Sequence, residues 1–163
     1  MLTELIVAAT ALNGLLAGAS LDQSIKQLPS RHRTGVSTYA AYTRGADLGS
    51  GIAWYAILAN SAAILTVVAA LVGWRTHVSH RLETLLLLGA ASAIGHTLAT
   101  LMAAPTMFST RKVGLDDERT LAQLFDRFAR WQALRAALQV LAFALTLWSM
   151  AVALHQLPAR QPW

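Results

Sequence analysis

The sequence predicts an all-α integral membrane protein: a four-helix bundle with a polar first connection and an amphipathic helix ahead of the fourth span. Three observations carry this. Of the 163 residues, 55% are hydrophobic and 13% charged, about half the charge usual for a soluble domain. The charges avoid four apolar stretches, residues 5–21, 49–73, 84–110 and 136–154. Each is long enough, at 1.5 Å per residue, to cross or nearly cross roughly 30 Å of hydrocarbon. The segments between them are rich in Lys and Arg, as expected beside lipid headgroups.

The first apolar run begins almost at the N-terminus. A signal peptide would carry a basic leading segment, whereas Glu4 is the only charged side chain before Asp22. A retained helix is expected instead, continuing through Asp22 to give a span at about 5–26. Thr10, Gly14 and Gly18 recur in it at four-residue intervals. Small residues at that spacing let another helix approach closely, either inside the bundle or at a homodimer seam. The second and third spans, about 49–73 and 84–108, are joined by a short link and should be antiparallel neighbours. Ahead of the fourth span, about 131–155, Asp116, Asp117 and Glu118 precede an apolar stripe at Leu121, Leu124, Phe125, Phe128 and Trp131. That order predicts a helix lying against the membrane or running straight into the last span. Residues 1–163 form a single domain, without internal repeats.

Orientation follows from counting charges. Lys26, Arg31, Arg33, Arg44, Arg111, Lys112, Arg119, Arg127, Arg130 and Arg135 share one side, against Arg75, Arg81 and Arg160 on the other. The positive-inside rule then puts the long connections in the cytoplasm and both termini outside, in the plasma membrane of a bacterium. The net charge of +5 is read as topology and lipid contact, not as nucleic-acid binding. The absence of Cys excludes disulfides, thiolate metal ligation and cysteine nucleophiles.

Four polar residues, Asn13, Asn60, His96 and Gln139, fall deep within predicted spans. Unpaired polar groups in hydrocarbon cost several kcal/mol, so these should face inward and bond one another or backbone carbonyls, or else line a small pocket with His96 as base or ligand. A bis-imidazole haem is disfavoured because His96 and His155 differ by about half a span, roughly 15 Å. His77, His80 and His155 share a side but make a weak metal pattern, so no metal is expected there, and the sequence leaves the cofactor undetermined. The densest chemical cluster is the first connection with its flanks. Asp22, Gln23, Lys26, His32, Tyr39, Tyr42, Arg44 and Asp47 lie there, with Trp54 and Tyr55 one or two turns deeper. From these come candidate acids and bases, His96, Asp22, Asp47 and His32. The candidate substrate walls are Trp54, Tyr55, Asn60, Tyr42 and Arg44.

The stretches GLLAGASLDQSIKQLPSR, PTMFSTRK and FARWQALRAALQVLAFAL resemble a family of four-span membrane proteins, domain of unknown function 1772, which includes the anthrone oxygenase-like proteins. The resemblance implies this fold. It also implies an oxygenase or oxidoreductase acting on a lipophilic molecule, with oxygen activation by a readily oxidised phenolic anion. The family pattern has Asn residues around the Pro that ends span three and a Trp-Asn-x-x-Arg opening span four. Here Pro105 is flanked by Ala103 and Met107, and the second motif reads Trp131-Gln132-Ala133-Leu134-Arg135. The resemblance therefore bears more on fold than on reaction. Two readings stand: a membrane-embedded enzyme, or a non-catalytic accessory subunit of a larger complex or homo-oligomer, or a binder of lipid or quinone-like molecules.

Overall fold

A computed structural model describes residues 1–156 of the chain, so Arg160, counted above for orientation, lies outside the described residues. Every element among the described residues is helical: α1 (Leu2–Asp22), α2 (Leu28–Thr34), α3 (Val36–Gly45), α4 (Gly51–Arg75), α5 (His80–Ser109) and α6 (Glu118–His155). Wide π-helical turns at Gln23–Gln27 and Ala46–Ser50 join α1 to α2 and α3 to α4. The chain thus makes four long helical runs, Leu2–Thr34, Val36–Arg75, His80–Lys112 and Glu118–His155, each long and apolar enough to cross a membrane.

The breaks between runs have local causes. Gly35 adopts φ +87°, a conformation that L side chains rarely take, and divides α2 from α3. After α4, His77 takes φ +50° while Val78 N–H bonds the Gly73 carbonyl and His77 N–H that of Trp74. These are the two bonds of a Schellman stop. Asp117 opens α6, its carboxylate accepting from the Thr120 N–H at 3.1 Å. From there α6 runs 38 residues without a break, so the apolar stripe at Leu121, Phe125 and Phe128 belongs to the same helix as the fourth apolar stretch.

α5 packs on α6, α6 on α1, α1 on α4 and α4 on α5, so each long helix has two principal neighbours. Only 28–39% of the most apolar window of each run is buried. Most of its hydrophobic surface therefore faces outward, as at Leu15, Ile57, Ile64, Leu98, Leu101 and Trp148, which water would not tolerate. Inside, apolar clusters occupy the two ends. Ile6, Ala69, Leu82, Leu86 and Ala153 fill one, and Leu28, Tyr39, Met107, Leu121, Phe125 and Phe128 the other. Between them lies a polar layer of Asn13, Thr66, His96, Gln139 and Thr146.

The basic connections are stitched to the helices. Arg31 pairs with Asp126 at 2.7 Å and bonds the Leu28 carbonyl at 2.9 Å. Arg44 reaches the carbonyls of Thr110 and Val113 at 2.7 and 2.6 Å, and Arg111 bonds the Leu48 carbonyl. At least these three of the ten charges counted for orientation thus have a structural duty of their own.

Candidate functional site

A cavity of about 270 Å³ lies among α4, α5 and α6, beside the turn that carries Asp47. Its wall is mostly apolar, supplied by residues such as Leu16, Leu48, Ala59, Met107 and Phe128. Exposed Ile52, Leu101 and Phe108 border it on α4 and α5, so it opens sideways between those two helices. Pro105 lies just past this rim. It lacks the N–H that would otherwise take the Leu101 carbonyl, which loosens the helical ladder where α5 borders the cavity.

The polar residues of the wall are Gln23, Asp47, Tyr55, Asn60, His96 and Arg135, with Thr97 and Thr100 on α5. His96 is 2% exposed, and its Nδ1 lies 3.1 Å from the Arg135 carbonyl. A carbonyl oxygen only accepts, so Nδ1 carries the hydrogen. In the neutral ring, Nε2 is then the free lone pair, and it has no partner. Arg135, the residue that supplies this carbonyl, also lines the cavity. Its Nε is also buried without a partner, and no carboxylate lies within ion-pairing distance of it among the described residues. Asp47, the one carboxylate of the wall, accepts a weak bond from Gln23 Nε2 at 3.4 Å.

Four of the nine residues expected from sequence, His96, Asp47, Tyr55 and Asn60, therefore meet at this cavity. The other five lie elsewhere. Asp22 is held by Lys26 at 2.6 Å and by Gln27, and His32 is exposed on α2. Tyr42 is exposed beside a separate cleft with Lys26 and Tyr39. Trp54 is 58% exposed on the outer face of α4, and Arg44 is engaged by backbone carbonyls. The first connection thus does not gather Asp22, His32 and Asp47 at one point. No group of three or more His, Asp or Glu among the described residues is placed to hold a metal.

The polar residues deep in the spans also divide. Asn13 donates to Thr66 Oγ1 at 2.8 Å and accepts from Gln139 Nε2 at 2.8 Å, forming a closed cluster. Asn60 is exposed and bonds only its own helix, at the Ala56 carbonyl. His96 bonds neither.

No family model, curated protein or solved structure matches this chain. The site must therefore be read from its own geometry. Sequence reasoning assigned Arg135 to topology and missed its place in the cavity. The signal was present. Gln132, Arg135 and Gln139 follow one another at three- and four-residue steps, and Gln132 and Gln139 are both fully buried, so the stripe marks the inward face of α6.

Proposed function

We propose that the chain is a multi-pass membrane protein whose four long helices form a bundle across the bilayer. Its cavity holds a lipophilic small molecule carrying an ionisable O–H. In this reading His96 Nε2 takes the O–H proton and the Arg135 guanidinium faces the oxyanion left behind. One observation carries it: a single, sideways-opening apolar cavity contains both a histidine with an unpartnered ring nitrogen and an arginine without a counter-ion. The apolar wall suits the body of the molecule, and Tyr55 and Asn60 border its polar end.

The reaction implied by the family resemblance is oxygenase-like. The readily oxidised anion left after loss of the O–H proton reduces dioxygen; one oxygen atom enters the product and the other leaves as water with two hydrogens from the substrate. The chain's own part is to bind the molecule, remove its proton and stabilise the anion. The second reading, a non-catalytic binder of lipid or quinone-like molecules or an accessory subunit, draws support from the lateral opening and from Gly18. That residue has nothing within 4 Å on the outer face of α1. In the bacterial plasma membrane the long connections face the cytoplasm and both termini the outside. Reporter fusions within residues 27–48 should accordingly give cytoplasmic signals.

The test is native purification in mild detergent followed by mass spectrometry and an absorption spectrum. A copurifying lipophilic molecule should be retained by the parent and lost from folded His96→Gln and Arg135→Gln proteins. Equal retention by all three would remove the cavity from the account.

A further inference from the structure

The cavity does not end where its polar residues end. Its share of α4 steps through Ile52, Ala56, Ala59 and Asn60. The same face then continues as an outer groove lined by Ala63, Ile64 and Val67 of α4 and Ile94, Thr97 and Leu98 of α5. Thr97 borders both spaces, so cavity and groove form one continuous seam between α4 and α5. From Ile52 to Val67 the seam runs roughly 22 Å along α4, more than the roughly 15 Å depth of one leaflet's hydrocarbon. The polar end lies toward the turn that carries Asp47, and the apolar end is bordered by Ala63, Ile64 and Val67 of α4. His96 borders this seam beside Thr97, where the cavity passes into the groove, so a head held there lies deep in the span with the apolar groove running on from it.

Resting on the reading of the cavity as a ligand site, we propose that its occupant is a single-chain amphiphile with a carboxylic acid head, the head between His96 and Arg135 and the chain along the α4–α5 groove. Each part of that statement has its own support. A carboxyl group offers one O–H and two acceptor oxygens, the complement of an unpartnered imidazole lone pair and a planar guanidinium fork. Arg135 lacks a counter-ion among the described residues, so a ligand with one negative charge neutralises it. Asp47 in the same wall opposes a dianionic phosphate monoester. A cavity of about 270 Å³ admits a carboxyl head with a few methylenes but not a glycerophosphate bearing two chains, and the groove is a single seam. The acid enters sideways from the bilayer in its neutral form, hands its proton toward His96 Nε2, and leaves its charge on the oxygens facing Arg135. Protons and charge balance without any further reactant.

The experiment uses the full chain in lipid nanodiscs with a sixteen-carbon carboxylic acid carrying a diazirine about six to eight carbons from its carboxyl group, the reach from His96 to the groove. Cross-linked residues are read by peptide mass spectrometry. Cross-links should fall on residues 63–68 and 94–98 and not on the equally apolar outer surface at Leu15 or Trp148. Unlabelled sixteen-carbon acid should compete at least about tenfold better than the eight-carbon acid, the matched alcohol, a matched phosphate monoester or a two-chain phospholipid. Arg135→Gln should reduce labelling at least about tenfold. Ala63→Trp, which fills the groove from its outer surface, should abolish labelling there while leaving the melting temperature unchanged. Cross-links spread evenly over the outer surface would overturn the proposal. So would equal competition by the alcohol, the phosphate monoester or the phospholipid. Saturable binding of a short phenol, sensitive to His96→Gln but indifferent to chain length, would overturn the single-chain acid and leave the cavity's proposed function standing. Failure of both the acids and the phenol to bind would overturn both.

Discussion

Two polar sites lie within the same helical assembly and differ in one respect. Around Asn13, the donors and acceptors close on each other. The Asn13 amide donates to Thr66 and to the Ala9 carbonyl, and Gln139 bonds both the side chain and the backbone carbonyl of Asn13. Around His96 they do not close: Nε2 and the Arg135 Nε have no partner although both are buried. A buried network that satisfies itself holds helices in register. One that leaves a base and a cation unmatched bears a desolvation cost that the fold alone does not offset. The difference separates a structural polar layer from a candidate ligand site without reference to any relative.

The largest stability effect should come from the closed site. Asn13→Leu strands Gln139 in an apolar layer and should lower stability in detergent by about 1–3 kcal/mol, read by thermal or denaturant unfolding. Asn13→Leu combined with Gln139→Leu should cost less than the sum of the two single changes. An additive double mutant would break the idea that the cluster acts as a unit. The neighbouring Gly14 sharpens the same point. A Cβ there would meet the Phe143 ring at 3.0 Å, so Gly14→Leu should cost about 1–3 kcal/mol by forcing α1 away from α6. Gly18→Leu meets nothing within 4 Å and should melt like the parent.

The open site should behave in the opposite way. His96→Leu loses one hydrogen bond to a backbone carbonyl and should cost only about 1 kcal/mol. Arg135→Met removes an unpaired, largely buried charge and should leave the melting temperature unchanged or raised. Both should nevertheless lose the bound molecule. A destabilised Arg135→Met protein that kept its ligand would reverse the comparison.

The smallest effect belongs to a cap remote from both sites. The hydroxyl and backbone N–H of Thr120 hold the Asp117 carboxyl below its usual range. A carboxylate depressed in the folded state contributes fully above its unfolded pKa of about 3.9 and loses that contribution as pH falls through the lower folded value. Acid titration of unfolding should therefore show a slight decline in that window. Asp117→Asn should remove this decline while keeping the cap, and Asp117→Ala should remove both. Because α6 supplies both Gln139 and Arg135, this change should touch the closed and open sites alike.

Much of this arrangement was legible in the chain. The four apolar stretches located four long helices because hydrocarbon thickness sets a length that composition reveals directly. The acidic triplet before Leu121 located the start of α6, since carboxylates at a helix N-terminus meet free N–H groups. His96, Asp47, Tyr55 and Asn60 were named because buried or interfacial polar groups are rare in such a chain. The structure sets the remaining site residues apart from the cavity for a physical reason. Asp22 and Asp47 have similar sequence environments, yet Lys26 captures one within its own helix, while the turn at Ala46–Ser50 brings the other to the cavity. Charge and spacing do not reveal which of two carboxylates a neighbour will take. Trp54 and Tyr55 are adjacent, and only helical phase decides that Tyr55 lines the cavity and Trp54 the outer surface. Arg135 looked like one more cytoplasmic charge because the count ignores which way a side chain faces.

The unbroken course of α6 has a mechanical consequence. Its 38 residues measure roughly 57 Å, nearly twice the hydrocarbon thickness of a bilayer, with no hinge along the way. Such a rod accommodates a thinner membrane by tilting as one body. Its Leu121, Phe125 and Phe128 end is packed against Leu28, Tyr39 and Met107, so the tilt is delivered there as a sideways load. For a helix of this length set in a bilayer, membrane thickness would be a mechanical input to the packing of the first connection, transmitted by the stiffness of one helix.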